Sequence, residues 1–554
     1  MPSIAPVRQP GQGRSRGLAV FASCLLGLNV LFRLPALTVG GAALVLLSPA
    51  ADALLLALLV CLWVWLRLPG LRIVCFVLAG TGLMLLSFRT ADSLVPYYFD
   101  RAFRPALDLG YLPDLYALLR DTLPPLVFYG ALLLLAAATA GLGAGFWGLF
   151  RMLGESCRLP ACRWSLITLI ALLSFVELLT PFSFLGESAP VRLVGKSGGS
   201  GVKETAVGGE TENPETAFHR EAAEPGGGML ARLEGRNVLL LVVESYGYTL
   251  FSEPEHFDLF QPHLARFEAE LEAAGFAVCS NFLESTAFGG NSWLADATLT
   301  TGVRIEDEAA YRELLASEVK PLAAYFREAG YRAVAAMPAT TRAWPEGEFF
   351  AFDRIYTYPD FGYRGPNLKW APMTDQYVLD FMHRAEIAGA ASPLLVEYLL
   401  ISSHYPFNLI PVYFEDWSRV GDGSIYHRTE AVRVLPIPAG RQTAGIEGLA
   451  EAIAYDLRLI AGYLDRFVAD ESLIVIVGDH QPYSGVTGRG KPRSVAIHAV
   501  SRRRELLLPF LSRGYVAGAF PDQPLPHPGM ETFLPALLED FSAPGPDEGS
   551  AAGG

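Results

Sequence analysis

What the chain lacks narrows its function before any motif is read. It has no long Lys/Arg run and a net charge of −14, with a sequence pI near 5.2, so the electrostatic footprint of a nucleic-acid binder is missing. Cysteine is scarce. Of six cysteines, Cys24, Cys61 and Cys75 fall in apolar runs, Cys157 and Cys162 sit in a short basic loop, and Cys279 alone lies in the globular part. No disulfide can therefore form within that part, whatever the compartment. Near the N-terminus no good small-x-small cleavage site follows the first apolar stretch, which is read as an uncleaved helix rather than a signal peptide.

What is present is apolar and unevenly spread. Over 554 residues, 51% are hydrophobic, and the long runs of Leu, Ala, Val and Phe are concentrated between Gly17 and Gly186. A hydrocarbon core takes about 20 mostly apolar residues as a helix. About five such spans are expected, near Gly17 to Phe32, Ser48 to Leu66, Leu71 to Phe88, Pro124 to Phe150 and Ser165 to Leu185. Asp52 and Pro49 crowd the start of the second. Positive charge in short loops sets orientation. Arg8, Arg14 and Arg16 before the first span, and Arg151, Arg158 and Arg163 between the fourth and fifth, belong inside. Five spans then place everything after Leu185 outside, as they do the loop from Arg89 to Asp121.

The expected organisation is a membrane domain over 1–186, a flexible linker over 187–235, a globular domain over 236–541 and a disordered tail over 542–554. The linker is rich in Gly, Glu, Ser and Thr with few large apolar residues, too few to bury a core. In the globular part, short apolar runs alternate with amphipathic stretches, the pattern of an α/β fold. Buried parallel strands are expected at Asn237 to Val243, Arg332 to Met337, Leu394 to Ile401 and Ser472 to Val477. Helices are expected at Gln261 to Ala274, Leu322 to Ala329, Asp375 to Ile387 and Ile446 to Phe467.

Ligands of open α/β sheets bind beyond the carboxyl ends of the strands, and ionisable residues recur there. Glu244 follows the first run, His404 the third, and Asp479 with His480 the fourth. Taken singly, each is more readily a surface residue or a satisfied core histidine. Together they form an O/N ligand set that suits Mn²⁺, Zn²⁺ or Mg²⁺. The run from Phe288 to Thr298 adds a hydroxyl. Gly289 and Gly290 provide a tight turn, and Ser292 opens a helix expected to end before Gly302. At a helix N-terminus the dipole favours an alkoxide and then a phosphate, although serine there is often only an N-cap. Thr286 is a weaker candidate nucleophile. His498 reads as a buried strand histidine.

These residues, in this order and on these strand ends, resemble the alkaline phosphatase superfamily, and within it the lipoteichoic acid synthase and phosphoglycerol transferase branch. The resemblance covers Asn237 to Pro521 and the preceding apolar anchor. It implies an alkaline phosphatase-like sheet sandwiched by helices behind an α-helical transmembrane part. It also implies one divalent metal, commonly manganese, held by Glu244, Ser292, Asp479 and His480, with Ser292 the residue that becomes covalently modified. His404 would contact the phosphoglycerol and assist catalysis. The donor would be a membrane phospholipid, the acceptor an extracytoplasmic glycan or glycolipid, and the location a bacterial inner membrane with the catalytic domain in the periplasm.

One departure stands out. The branch carries a Trp-x-Arg pair for substrate phosphate, and here Arg342 precedes Trp344 while Glu346 falls where arginine would be; Trp344 and Arg342 remain the candidate substrate-binding residues. Phosphoethanolamine transfer is the nearest alternative, though its relatives usually have cysteine-rich soluble domains. Simple hydrolysis with two metals needs more Asp and His ligands than lie between Ser292 and Asp479. Sulfatase chemistry needs Cys/Ser-x-Pro-x-Arg, which the residues from Ser292 to Asp296 do not supply. A lipid sensor that kept the fold and lost the chemistry is the non-enzyme alternative.

Overall fold

The computed structural model describes residues 12–37, 49–112, 115–116, 119–120, 124–179, 228–438, 443–468, 471–522 and 524–542. The expected linker up to residue 227, the tail after 542 and the end of the fifth span lie outside these. The chain divides into two compact units, one formed by most of the first 209 residues and the other by the rest.

The first unit is helical: Gln12–Leu37, Ala51–Trp65, Leu71–Phe99, Pro125–Ser156 and Pro160–Leu179. Three helices among the described residues are long and apolar enough to cross a membrane, namely Ser15–Ala36, Leu71–Phe99 and Pro125–Ser156, which reads as a membrane anchor. Ala51–Trp65 is apolar but has only 15 residues. The helix expected to stop at Phe88 runs on to Phe99. Arg89 does not break it, because its guanidinium is buried against the equally buried Asp52 carboxylate, and a paired charge can stay inside where a lone one could not. Cys61 and Cys157 are joined by a disulfide.

The second unit is built on a sheet of eight strands: β1 (Val238–Val243), β2 (Ala277–Glu284), β3 (Arg332–Met337), β4 (Arg354–Thr357), β5 (Leu394–Leu400), β8 (Leu473–Gly478), β9 (Ser494–Ser501) and β10 (Val516–Ala517). Two short strands, β6 (Leu409–Pro411) and β7 (Val432–Val434), pair separately. The order across the sheet is β10-β2-β9-β8-β1-β5-β3-β4. From β8 to β4 neighbours are parallel, while β9, β2 and β10 join antiparallel. All four runs expected as parallel strands are strands, and they are consecutive neighbours at the centre of the sheet.

Parallel strands covered on both faces read as unbroken apolar runs, and β1 is one. Its Leu239, Leu241 and Val243 enter one core and its Val238, Leu240 and Val242 the other. The first core is closed by the helices Pro254–Ala273, Asp375–Met382 and Gly445–Phe467, the second by Ser292–Thr301, Leu322–Glu328 and Phe533–Phe541. Each fully buried Leu or Val contributes roughly 1.5–3 kcal/mol, so the two faces hold β1 and its neighbours rigid where the ionisable residues follow. The folded unit also begins before Gly235, the expected end of the linker. Leu230 and Leu233 are buried in the second core, and the Leu230 N–H donates to Ser542 Oγ.

His498 lies in β9 as a fully buried residue. Its Nε2 bonds the Tyr246 hydroxyl at 2.9 Å and its Nδ1 the Ser280 hydroxyl at 2.7 Å. Burial pushes its pKa down to about 3. The fold therefore holds the neutral ring, while the unfolded chain takes up a proton below about pH 6.5. Stability contributed by this residue is present above that pH and is lost as pH falls toward 3, at about 1.4 kcal/mol per unit. His498→Phe is expected to remove this acid sensitivity in urea titrations at pH 4 to 7. At neutral pH it should cost about 1–3 kcal/mol, because the Tyr246 and Ser280 hydroxyls lose a buried partner.

Candidate metal centre and nucleophile

β8, β1 and β5 are adjacent and parallel, so their carboxyl ends open on one edge of the sheet. Glu244 is the first residue after β1, Asp479 and His480 are the first two after β8, and His404 comes four residues after β5. Glu244, Asp479 and His480 are buried, and one ligand atom from each lies within 4.8 Å of the others. This is the one such group among the described residues.

Tight turns produce the convergence. Ser245 has a left-handed backbone, φ 60°, which turns the chain at the end of β1 so that the Ser245 N–H donates to Asp479 Oδ1 at 2.8 Å. The Asp479 N–H in turn donates to the Val243 carbonyl. At Gly478 a side chain would meet the Tyr246 carbonyl at 2.3 Å, so only glycine lets β8 approach this turn. On the nucleophile side Gly289, Gly290 and Asn291 all have positive φ, 67°, 136° and 63°. The value at Gly290 is one that residues with a Cβ avoid. The Gly289 N–H donates to the Gln481 carbonyl at 2.8 Å, which fastens the turn beside His480. The Ser292–Thr301 helix then starts on the hydroxyl itself. Ser292 Oγ points to Glu244 Oε2 at 3.4 Å; it does not cap its own helix, since the N-cap is Asn291.

The donor set fits a divalent cation. His480 Nδ1 donates to the Gln481 carbonyl at 2.8 Å, which fixes the tautomer and leaves Nε2 with a bare lone pair. That Nε2 is buried with no hydrogen-bond partner. It faces Glu244 Oε1 at 3.4 Å and Asp479 Oδ2 at 3.5 Å, too far for a good hydrogen bond and suited to a cation between them. Ligand atoms held about 2.0–2.2 Å from one ion must approach one another within about twice that distance, and these do. The titration behaviour agrees. Burial and then the Glu244 charge push the Asp479 carboxyl up to about 7. Burial pushes Glu244 up as well, but the nearby His404 and His480 imidazoles and the Ser245 hydroxyl bring it below its ordinary value. Burial alone would lower the His480 imidazole, but the Asp479 and Glu244 charges hold it above its ordinary value, so without a cation a proton supplies the positive charge that the site needs.

The structure thus brings Glu244, Ser292, Asp479 and His480 together, with His404 close enough for its charge to act on Glu244. His404 is half-buried and stacks on Trp370, ring centroids 6.0 Å apart. Arg342 is exposed on the loop after β3, and Trp344 stacks on Phe350 in a small cluster with Leu294 and Ala297 of the Ser292 helix. Thr286 is buried, and its hydroxyl is engaged with Thr298. Sequence reasoning missed Ser245, whose hydroxyl donates to Glu244 Oε1 at 2.7 Å, and Ser403, whose hydroxyl donates to the Glu244 carbonyl at 2.7 Å. Both flank motif residues, and their adjacency was the available signal. Trp370 is remote in sequence and gave none.

Fold and site together describe an α/β unit that gathers two carboxylates, an imidazole and a helix-borne hydroxyl at the edge of its central strands, preceded by apolar helices. No family model and no curated protein sequence matches the chain. Among solved structures it is similar to the Streptococcus pyogenes phosphoglycerol transferase GacH in complex with sn-glycerol-1-phosphate, with TM-score 0.37 and 10% identity over 59% of this chain and 90% of that one. It is similar to the Listeria monocytogenes lipoteichoic acid synthase LtaP, with TM-score 0.32 and 12% identity over 48% of this chain and 65% of that one. The periplasmic domain of the Campylobacter jejuni phosphoethanolamine transferase EptC gives TM-score 0.35 and 11% identity over 56% of this chain and 90% of that one. TM-scores below 0.5 assign this chain no activity, and its chemistry follows from its own residues.

Proposed function

We propose that the chain is a membrane-anchored, metal-dependent phosphotransferase. In this reading it moves a phosphoglycerol head group from phosphatidylglycerol to a hydroxyl of an extracytoplasmic glycan or glycolipid, at the bacterial inner membrane with its catalytic domain in the periplasm. The observation that carries the reading is the approach of Ser292 Oγ to a buried carboxylate in a cluster whose imidazole lone pair lacks a partner. Glu244, Asp479, His480 and Ser292 would hold one divalent ion, Mn²⁺ best matching the mostly oxygen donor set. When bound, that ion lowers the pKa of the serine hydroxyl and neutralises phosphoryl charge.

Ser292 Oγ attacks the phosphorus, the bond to the glyceride oxygen breaks, and diacylglycerol leaves with a proton. The phosphoglycerol group is then an ester of Ser292. The acceptor hydroxyl attacks the same phosphorus, Ser292 Oγ leaves, and one phosphodiester has replaced another. His404 holds the head group and moves the proton between the leaving and entering oxygens. The apolar helices keep the site near its lipid donor. Arg342, exposed on the loop after β3, and Trp344, partly buried beside the Ser292 helix, are proposed to bind substrate.

The test uses the full chain in nanodiscs with Mn²⁺ and either phosphatidylglycerol or phosphatidylethanolamine. Diacylglycerol release with an intact-protein mass increase of one phosphoglycerol is the expected result. An increase of one phosphoethanolamine moves the assignment to that head group. Release of free head group with no adduct makes the chain a hydrolase, and no reaction with either lipid overturns the donor class.

A further inference from the structure

Behind the metal centre lies a second buried acidic pair, Asp375 and Asp456. Asp375 opens the Asp375–Met382 helix and Asp456 lies within Gly445–Phe467. Neither is accessible to solvent. The Asp375 carboxylate accepts from the Ile401 N–H at 2.9 and 3.0 Å and from the Ser402 N–H at 2.6 Å, and the Asp375 N–H donates to Ser402 Oγ at 3.0 Å. It therefore holds the segment that follows β5. From there Ser403 donates to the Glu244 carbonyl, and the His404 N–H closes a turn on the Ile401 carbonyl.

Asp456 is the reverse case. Neither of its oxygens accepts a backbone hydrogen bond; Asp375 and Ser403 face it and the Glu244 charge acts on it, and Tyr455 and Tyr426 are further titratable groups around the pair. Two buried carboxylates side by side cannot both be ionised. Backbone N–H donors stabilise the charge on Asp375 and none stabilises it on Asp456, so the proton resides on Asp456. Burial and then its partner's charge hold Asp456 well above the carboxylate range, whereas Asp375 is pushed up only to about 6.

We propose that Asp375 is a positioning residue for His404, fixed as an anion by the neutral carboxylic acid of Asp456, which donates its proton to Asp375. The proposal rests on the phosphotransferase reading only for the role of His404; the hold of Asp375 on the loop stands on its hydrogen bonds to Ile401 and Ser402.

The experiment compares Asp375→Asn, Asp456→Asn and the parent chain, each full-length in nanodiscs, with diamagnetic Mg²⁺ for the spectra and Mn²⁺ for turnover. The parent-minus-Asp456→Asn infrared difference spectrum at pH 7 is expected to show the carbonyl stretch of one protonated carboxylic acid; the buried Glu397, pushed up by burial and the Asp296 charge, contributes to both spectra and cancels. The histidine ring signal of His404, assigned by its loss in His404→Gln, should shift in Asp375→Asn and stay near its parent position in Asp456→Asn. Where the parent turns over lipid, kcat should fall on the order of 100-fold in Asp375→Asn and about threefold in Asp456→Asn, whose amide still donates. A difference spectrum without that acid band, or an unmoved His404 signal in Asp375→Asn, overturns the proposal. Both spectroscopic readouts decide without turnover, so a chain inactive on every lipid would sink the functional reading alone. If Asp375→Asn fails to fold, the Asp456→Asn band still decides.

Discussion

Ser292→Ala is expected to lower phosphotransfer by about 10³–10⁴-fold and to abolish the covalent adduct while leaving the fold and the cation site largely in place. A nucleophile that forms and breaks a bond to phosphorus has no substitute among its neighbours. Thr286 cannot stand in, because it is buried on the far side of the turn with its hydroxyl bonded to Thr298. The change removes one oxygen at the first residue of a helix whose N-cap is Asn291, and a partly exposed serine lost there should cost well under about 1 kcal/mol. Three protein ligands remain, so Mn²⁺ affinity should fall by roughly tenfold rather than vanish. Intact mass, melting temperature and metal titration on one preparation separate these effects. An alanine variant that still formed the adduct would dismiss Ser292, and one that lost metal entirely would make it a structural ligand first.

The fold was legible where one physical pattern ruled. β1, β3, β5 and β8 are apolar runs because both faces of a central parallel strand are covered, and the helix from Ser292 to Thr301 is bracketed by a glycine turn and by Gly302 in a left-handed C-cap. β2 was hidden because its interior carries Ser280 and Asn281, polar residues that look loop-like until they are found bonded to His498 or to backbone, while β9 showed only as the strand around a buried His498. β4 and β10, at the two edges, have four and two residues, too few for any period to show. Strand ends pointed to Glu244, His404, Asp479 and His480, the glycine turn before a helix pointed to Ser292, and the four-ligand set came from the resemblance. What no local pattern records is the support behind them: Asp375, Asp456 and Trp370 reach the site from helices and loops whose sequences show ordinary burial or none.

Removing the cation should be felt as much by the fold as by the chemistry. With a chelator, the buried Glu244 and Asp479 carboxylates face one another and the His480 lone pair with no counter-charge, so one proton must enter or the edge of β1 and β8 must loosen. Free Mn²⁺ at about 100 times its dissociation constant stabilises the folded state by about 2.7 kcal/mol, which for a unit of this size raises the melting temperature by roughly 5 °C. Asp479→Asn separates charge from shape. Asp479 Oδ1 accepts from the Ser245 and His480 N–H groups, and the asparagine carbonyl can keep both bonds while the negative charge is gone. The variant should bind Mn²⁺ at least 100-fold more weakly, lose phosphotransfer, and yet melt at the same or a higher temperature than the chelated parent because one buried charge has been relieved. That inversion, a less active protein that is more stable without metal, is a signature of a cation site and not of a hydrogen-bonded scaffold. If Asp479→Asn instead melted well below the chelated parent, the carboxylate would be acting as a structural acceptor, and the site would owe its geometry to hydrogen bonds rather than to an ion.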